Sequence, residues 1–137
     1  MARIYNIEMS TRQKDLVIMM IHILVERLRI QDDPTITYRN LAEQIGTSHR
    51  KLGQPLLRMA EVLRQCNVAR DIPSLNALVV YSSTHLPCAE GLVNAEAGIH
   101  PNNNAELRTL MNRMNTQAKN FQDWDAVITD VKVNSFD

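Results

Sequence analysis

The chain has 137 residues, 45% hydrophobic and 22% charged, which is the balance of a folded globular protein and excludes a disordered one. The two cysteines, Cys66 and Cys88, exclude a disulfide framework, and the longest apolar run, Leu16 to Val25, falls short of the roughly 20 residues of a membrane span. Formal net charge is zero, yet residues 1–80 hold eleven Lys and Arg against eight Asp and Glu (+3), and residues 81–137 hold four against seven (−3). With no signal peptide in view, a reducing cytoplasm is the expected compartment.

Residues 1–10 read as a short extended arm. Ser10 or Thr11 can cap a helix from about Arg12 to Ile30, because their hydroxyls accept from the orphan amides of a first turn. Its apolar residues include Leu16, Val17, Met20, Ile21, Leu24 and Leu28, and Ile18, Met19, Ile23 and Val25 widen that face almost all round. Such a helix lies at the centre of the core, or lends residues 16–28 to a homodimer contact. Gln31-Asp32-Asp33-Pro34 ends it, since the residue before a proline is pushed out of helical geometry.

Thr35 to Tyr38 is a brief extended stretch, and Thr37 caps a helix from about Tyr38 to Ile45 with Leu41, Ala42 and Ile45 turned inward. Gly46 follows, the residue suited to a left-handed turn. Thr47 and Ser48 can cap a third helical segment, kinked or split near Gly53 and Pro55, whose apolar positions include Leu52, Leu56, Met59, Val62 and Leu63. After a loop over residues 67–74, Leu75 to Tyr81 is dense in β-favouring residues and reads as a strand, with a return strand near Leu92 to Ala95. Asn102 to Asn104 can cap a helix from about Ala105 to Phe121. The tail from Trp124 to Phe136 alternates in part (Val127, Val131, Val133) and reads as an edge strand or irregular arm.

These elements compose a mainly α fold with a small β-hairpin wing. The expected organisation is one domain of winged-helix, helix-turn-helix type over residues 1–137: an arm (1–10), a helical core with the wing (11–100), and a C-terminal helix and tail (101–137). The motif itself is Leu41-Ala42-Glu43-Gln44-Ile45-Gly46-Thr47-Ser48. A small residue is needed at Ala42 where a following helix crosses closely, a tight turn at Gly46, and a cap at Ser48.

Thr37-Tyr38-Arg39-Asn40-Leu41-Ala42 and Arg50-Lys51-Leu52-Gly53 resemble the DNA-binding half of the alkylguanine alkyltransferases and their alkyltransferase-like relatives, over about residues 36–60. The resemblance implies that Tyr38 helps turn out a nucleotide and that Arg50 fills the gap. It stops at the chemistry: the family's Pro-Cys-His-Arg motif is absent, and Pro87-Cys88 runs into Ala89-Glu90, without the histidine relay that would make a thiolate. A second set, His49-Arg50, Leu52-Gly53, Cys66, Pro73, Leu75 to Val80 and Leu86-Pro87, resembles a family of small bacterial winged-helix modules, some joined to nuclease domains or found near restriction genes. That family's glycine after Leu-Pro is Cys88 here. This second resemblance implies a free-standing module of bacterial or phage origin, regulatory or defence-related.

Arg39, His49, Arg50, Lys51, Gln54 and Arg58 cluster around the turn and the third helix, with Tyr38 beside them, and these are the residue types that meet phosphates and base edges. They are the candidate contacts to double-stranded DNA. A module that kept the scaffold and binds protein instead, as an adaptor or an inhibitor of a nuclease, is the other reading. No metal is expected, because His22, His49, His85, His100, Cys66 and Cys88 lack ligand spacing. The sequence carries no phosphate loop, no nucleophile–histidine–acid set and no cofactor motif, so a binder rather than an enzyme is expected.

Overall fold

The computed structural model describes residues 1–90, 92 and 100–137. Its element order is β1 (Ala2–Ile4), β2 (Ile7–Met9), α1 (Thr11–Ile30), β3 (Ile36–Thr37), α2 (Tyr38–Ile45), a 3-10 turn (His49–Lys51), α3 (Gly53–Gln65), a second 3-10 turn (Asn76–Leu78), β4 (Val79–Val80), α4 (Asn104–Asn120), α5 (Trp124–Val133) and β5 (Ser135–Phe136). The fold is mainly helical, with a small antiparallel sheet.

α1 is the centre of the molecule. Ser10 starts it by accepting the Gln13 amide on its Oγ at 3.1 Å. Leu16, Val17, Met20, Ile21, Leu24, Val25 and Leu28 are all buried, packed among α2, α3, α5 and β1. Most of the wide apolar face is thereby used within the chain, and the large apolar residues that α1 leaves exposed are Met19 and Ile30. Arg27 ends the helix productively, donating to the carbonyls of Pro34 at 3.0 Å and Thr35 at 2.5 Å. Thr35 in turn gives its amide and hydroxyl to Asp33, and these hydrogen bonds hold the Asp33 carboxyl below the usual carboxylate range.

The extended arm expected over the first ten residues is a hairpin. Ala2 pairs with Met9 and Ile4 with Ile7, and β5 adds to the other side of β1 through Arg3–Phe136 and Ile4–Ser135. The pattern of buried Ala2 and Ile4 around exposed Arg3 is strand-like, but three residues are too few to show a period. Tyr5, at the turn, adopts φ 54°, a left-handed conformation uncommon for a side-chain-bearing residue. Its amide donates to Asn134 O at 2.8 Å and its hydroxyl to Asp130 Oδ2 at 2.6 Å, so the turn is fastened to α5. Burial and the Asp130 carboxylate push the Tyr5 phenol well above its ordinary pKa.

Two further expectations are corrected. Leu75 to Tyr81 is a 3-10 turn followed by a two-residue strand, and that strand pairs in parallel with β3 (Ile36–Val79, Thr37–Val80) rather than with a returning neighbour. Every residue from Leu75 to Val80 is buried, so the run has no alternation to enforce a strand. Ser74 Oγ also accepts the Asn76 amide at 3.1 Å, a local bond that competes with a ladder. Of the expected return strand, Leu92 is helical and residues 93–95 lie outside the described residues. The tail from Trp124 is helix α5 as far as Val133, ending in β5. Trp124, Val127 and Val131 are buried together, at separations of three and four that suit a helix face.

A second buried cluster sits beside the main core, built from Ala77, Val80, Leu86 and Leu92 against Leu107, Leu110, Met111 and Met114 of α4. Asn115 ties the two partners together, donating to Ala77 O at 3.0 Å. Among the described residues, no helix is long and apolar enough to cross a membrane.

Candidate nucleic-acid interface

The candidate residues sit on α2, the first 3-10 turn and the start of α3. Thr37 opens α2 by accepting the Asn40 amide at 3.1 Å. Gly46 closes it at φ 77°, a conformation an L-residue enters only with strain. Arg12 reaches from the first turn of α1 to donate to Gly46 O at 2.7 Å, bracing the turn from outside. The spacing of residues 37–53 gives no sign of that contact, which depends on how α1 packs. Ser48 then caps the 3-10 turn, its Oγ accepting the Arg50 amide at 3.3 Å. Leu52, fully buried, anchors the turn to the core.

Arg39, His49, Arg50, Lys51 and Gln54 are all exposed. No ion pair among the described residues involves Arg39, Arg50 or Lys51. Their charges are thus free to meet a partner. Arg58 is different: half-buried, it donates through Nη1 to both carboxylate oxygens of Glu61, at 3.2 and 3.0 Å. Its charge is neutralised by its own helix, and its buried Nε finds no partner.

Tyr38 is half-buried. Its hydroxyl accepts the Cys88 amide at 3.2 Å, and its ring lies 4.7 Å from that of Tyr81. Burial pushes its phenol up to about 12. The side chain links α2 to the segment after β4. No family model, no curated protein and no solved structure matches this chain. The site therefore rests on its own geometry.

Beside the turn is a cavity of about 320 Å³, which sequence reasoning missed. Tyr38 and Tyr81 line it together with Leu56 and Leu57 of α3, and Cys88 and Glu90 complete the wall. His49 and Gly53 also border it, so it adjoins the basic turn. Tyr81 is 47% exposed although it follows six buried residues. A tyrosine closing the apolar run from Leu75 was the available signal in the sequence. Burial and the Cys88 thiol raise the Tyr81 phenol as well. Cys88 is half-buried and reduced, and Cys66 is buried against Asp130, 3.7 Å from its Oδ2. Among the described residues no three His, Cys, Asp or Glu side chains gather into a metal-ligating group.

Proposed function

We infer that the chain is a non-enzymatic DNA-binding protein of winged-helix type, regulatory or defence-related, that holds duplex DNA through the basic turn at His49-Arg50-Lys51. The observation that carries this reading is the set of exposed cations without ion-pair partners among the described residues, Arg39, Arg50 and Lys51, on and beside a turn anchored by buried Leu52. A rigid mount matters because phosphate contacts set register and orientation on the duplex. Gln54, exposed in the first turn of α3, is the side chain placed to read a base edge. Arg58 and Tyr38 support the scaffold and leave the contact set.

Three cations predict a modest salt dependence. For three phosphates, log affinity falls with log salt at a slope of about −2.7, and each cation removed takes about 1 from that slope. Fluorescence anisotropy on a duplex, with Arg50→Ala and Lys51→Ala compared at several salt concentrations, measures both. Unchanged affinity and slope in the two variants would remove the turn from the interface. The zero net charge and the exposed apolar Met19, Ile30 and Val133 favour the second reading, a protein-binding module on the same scaffold. Absence of duplex binding by the native chain at low salt is the outcome that transfers the proposal to it.

A further inference from the structure

The cavity beside the turn has the make-up of a ligand site. At about 320 Å³ it falls at the small end of the range in which proteins hold small molecules, roughly 300–1,000 Å³. Its lining is mostly apolar, supplied by Leu56, Leu57 and the two tyrosine rings, and apolar walls with a few polar groups are what bind and orient a compact ligand. The tyrosine rings lie 4.7 Å apart and tilted by 32°, packed on each other, so that what they offer a ligand is their outer faces and edges beside aliphatic side chains. Glu90, exposed, is the acid that lines it, and no ion pair among the described residues neutralises it.

Apart from His49 and Asn76, which also line the cavity, its walls select one chemistry. Leucine walls and tyrosine faces favour a flat aromatic ring, tyrosine π-faces attract a cation, and a carboxylate completes its recognition. A carboxylate-bearing ligand would meet Glu90 with like charge. A long aliphatic chain exceeds a cavity of this volume. We propose that the cavity between α2, α3 and the segment after β4 binds a small aromatic cation, its ring against Tyr38, Tyr81, Leu56 and Leu57 and its amine or amidine at Glu90. The site does not depend on duplex binding, and its test needs no DNA.

Benzamidine is the probe, with benzamide as its neutral isostere and benzoate as its anionic one. In heteronuclear NMR titrations of the full chain, benzamidine shifts the amides of Gly53, Leu57, Tyr81 and Glu90 in a saturable way. Benzamide binds the same residues about fivefold more weakly, the factor a partly exposed charge pair supplies, and benzoate binds least. Glu90→Gln, on the surface, brings benzamidine to the affinity of benzamide. Leu57→Trp fills the space and abolishes both. Equal affinities of benzamidine and benzamide for the native chain, shifts confined to other regions, or no saturable shift with benzamidine would each overturn the proposal.

Discussion

At the residue scale, Tyr38 has two roles to separate by experiment. The resemblance gives its ring to a nucleotide, whereas the structure gives its hydroxyl to the Cys88 amide and its ring to Tyr81. Tyr38→Phe should then cost stability, about 1 kcal/mol for one lost hydrogen bond, and leave duplex affinity unchanged. The pH dependence adds a second signature. Burial raises the folded-state pKa from the ordinary 10 to about 12, so the folded chain holds this proton more tightly than the unfolded one. Tyr38 therefore contributes stability that is full below pH 10 and is lost as pH rises through about 12. Tyr5 and Tyr81 are shifted in the same direction and add to the alkaline decline. Urea unfolding between pH 8 and 11.5 should show a shallower decline in Tyr38→Phe than in the native chain. An identical decline, or a duplex affinity lost without change in stability, would return Tyr38 to the DNA.

At the scale of elements, local chemistry made residues 10–65 legible. Ser10, Thr37 and Ser48 each accept the amide expected of a cap, and Gly46 takes the left-handed conformation on which the turn depends. The exposed candidates of the basic turn were legible for the same reason, since polar residues beside a capped turn stay in water. What escaped was decided by contacts between distant segments. Leu75 to Val80 is buried on every side, so its apolar run could not distinguish a strand from a 3-10 turn, and its β3 partner lies more than forty residues earlier. Val127 and Val131 fit a period of two as well as a helical one; only Trp124, three residues before Val127, separates them. The cavity joins α2, α3 and the residues around Cys88, and no single segment carries its pattern. Two glycines test the local part of this account. At Gly46 a Cβ meets nothing within 4 Å, so Gly46→Ala carries conformational strain alone, about 1–2 kcal/mol. Gly53 has equally open space and sits in the first turn of α3 without positive φ, so Gly53→Ala should stabilise by about 0.4–1 kcal/mol. Thermal or denaturant unfolding reads both, and a common sign would contradict the assignment.

Across the whole molecule, the distribution of charge reconciles a net charge of zero with a basic turn. The acidic C-terminal region spends carboxylates on the front half: Asp125 pairs with Arg29 at 2.6 Å and Asp137 with Lys14. Those pairs lie on α1, α5 and the end of the chain, and among the described residues none of the ion pairs involves Arg39, Arg50 or Lys51. The same tail closes the first sheet through β5, with Arg3 placed over the Phe136 ring at 4.8 Å. The apolar interior is likewise divided: α1 anchors the main core, whereas α4 and residues 77–92 build the second cluster around Leu107, Leu110 and Met111. Leu24 is fully buried in the first and Leu107 is 7% exposed in the second. Leu24→Ala should cost about 3–5 kcal/mol and Leu107→Ala about 2–3 kcal/mol, because a residue at the edge of a cluster leaves a cavity that closes more easily. The two sites belong to different clusters, so the double variant should lose the sum of the single losses to within about 0.5 kcal/mol. Urea denaturation of the four proteins measures this directly. A coupling well above that figure would mean that the clusters act as one core, with α4 an integral wall of the helix bundle rather than a cover over residues 77–92.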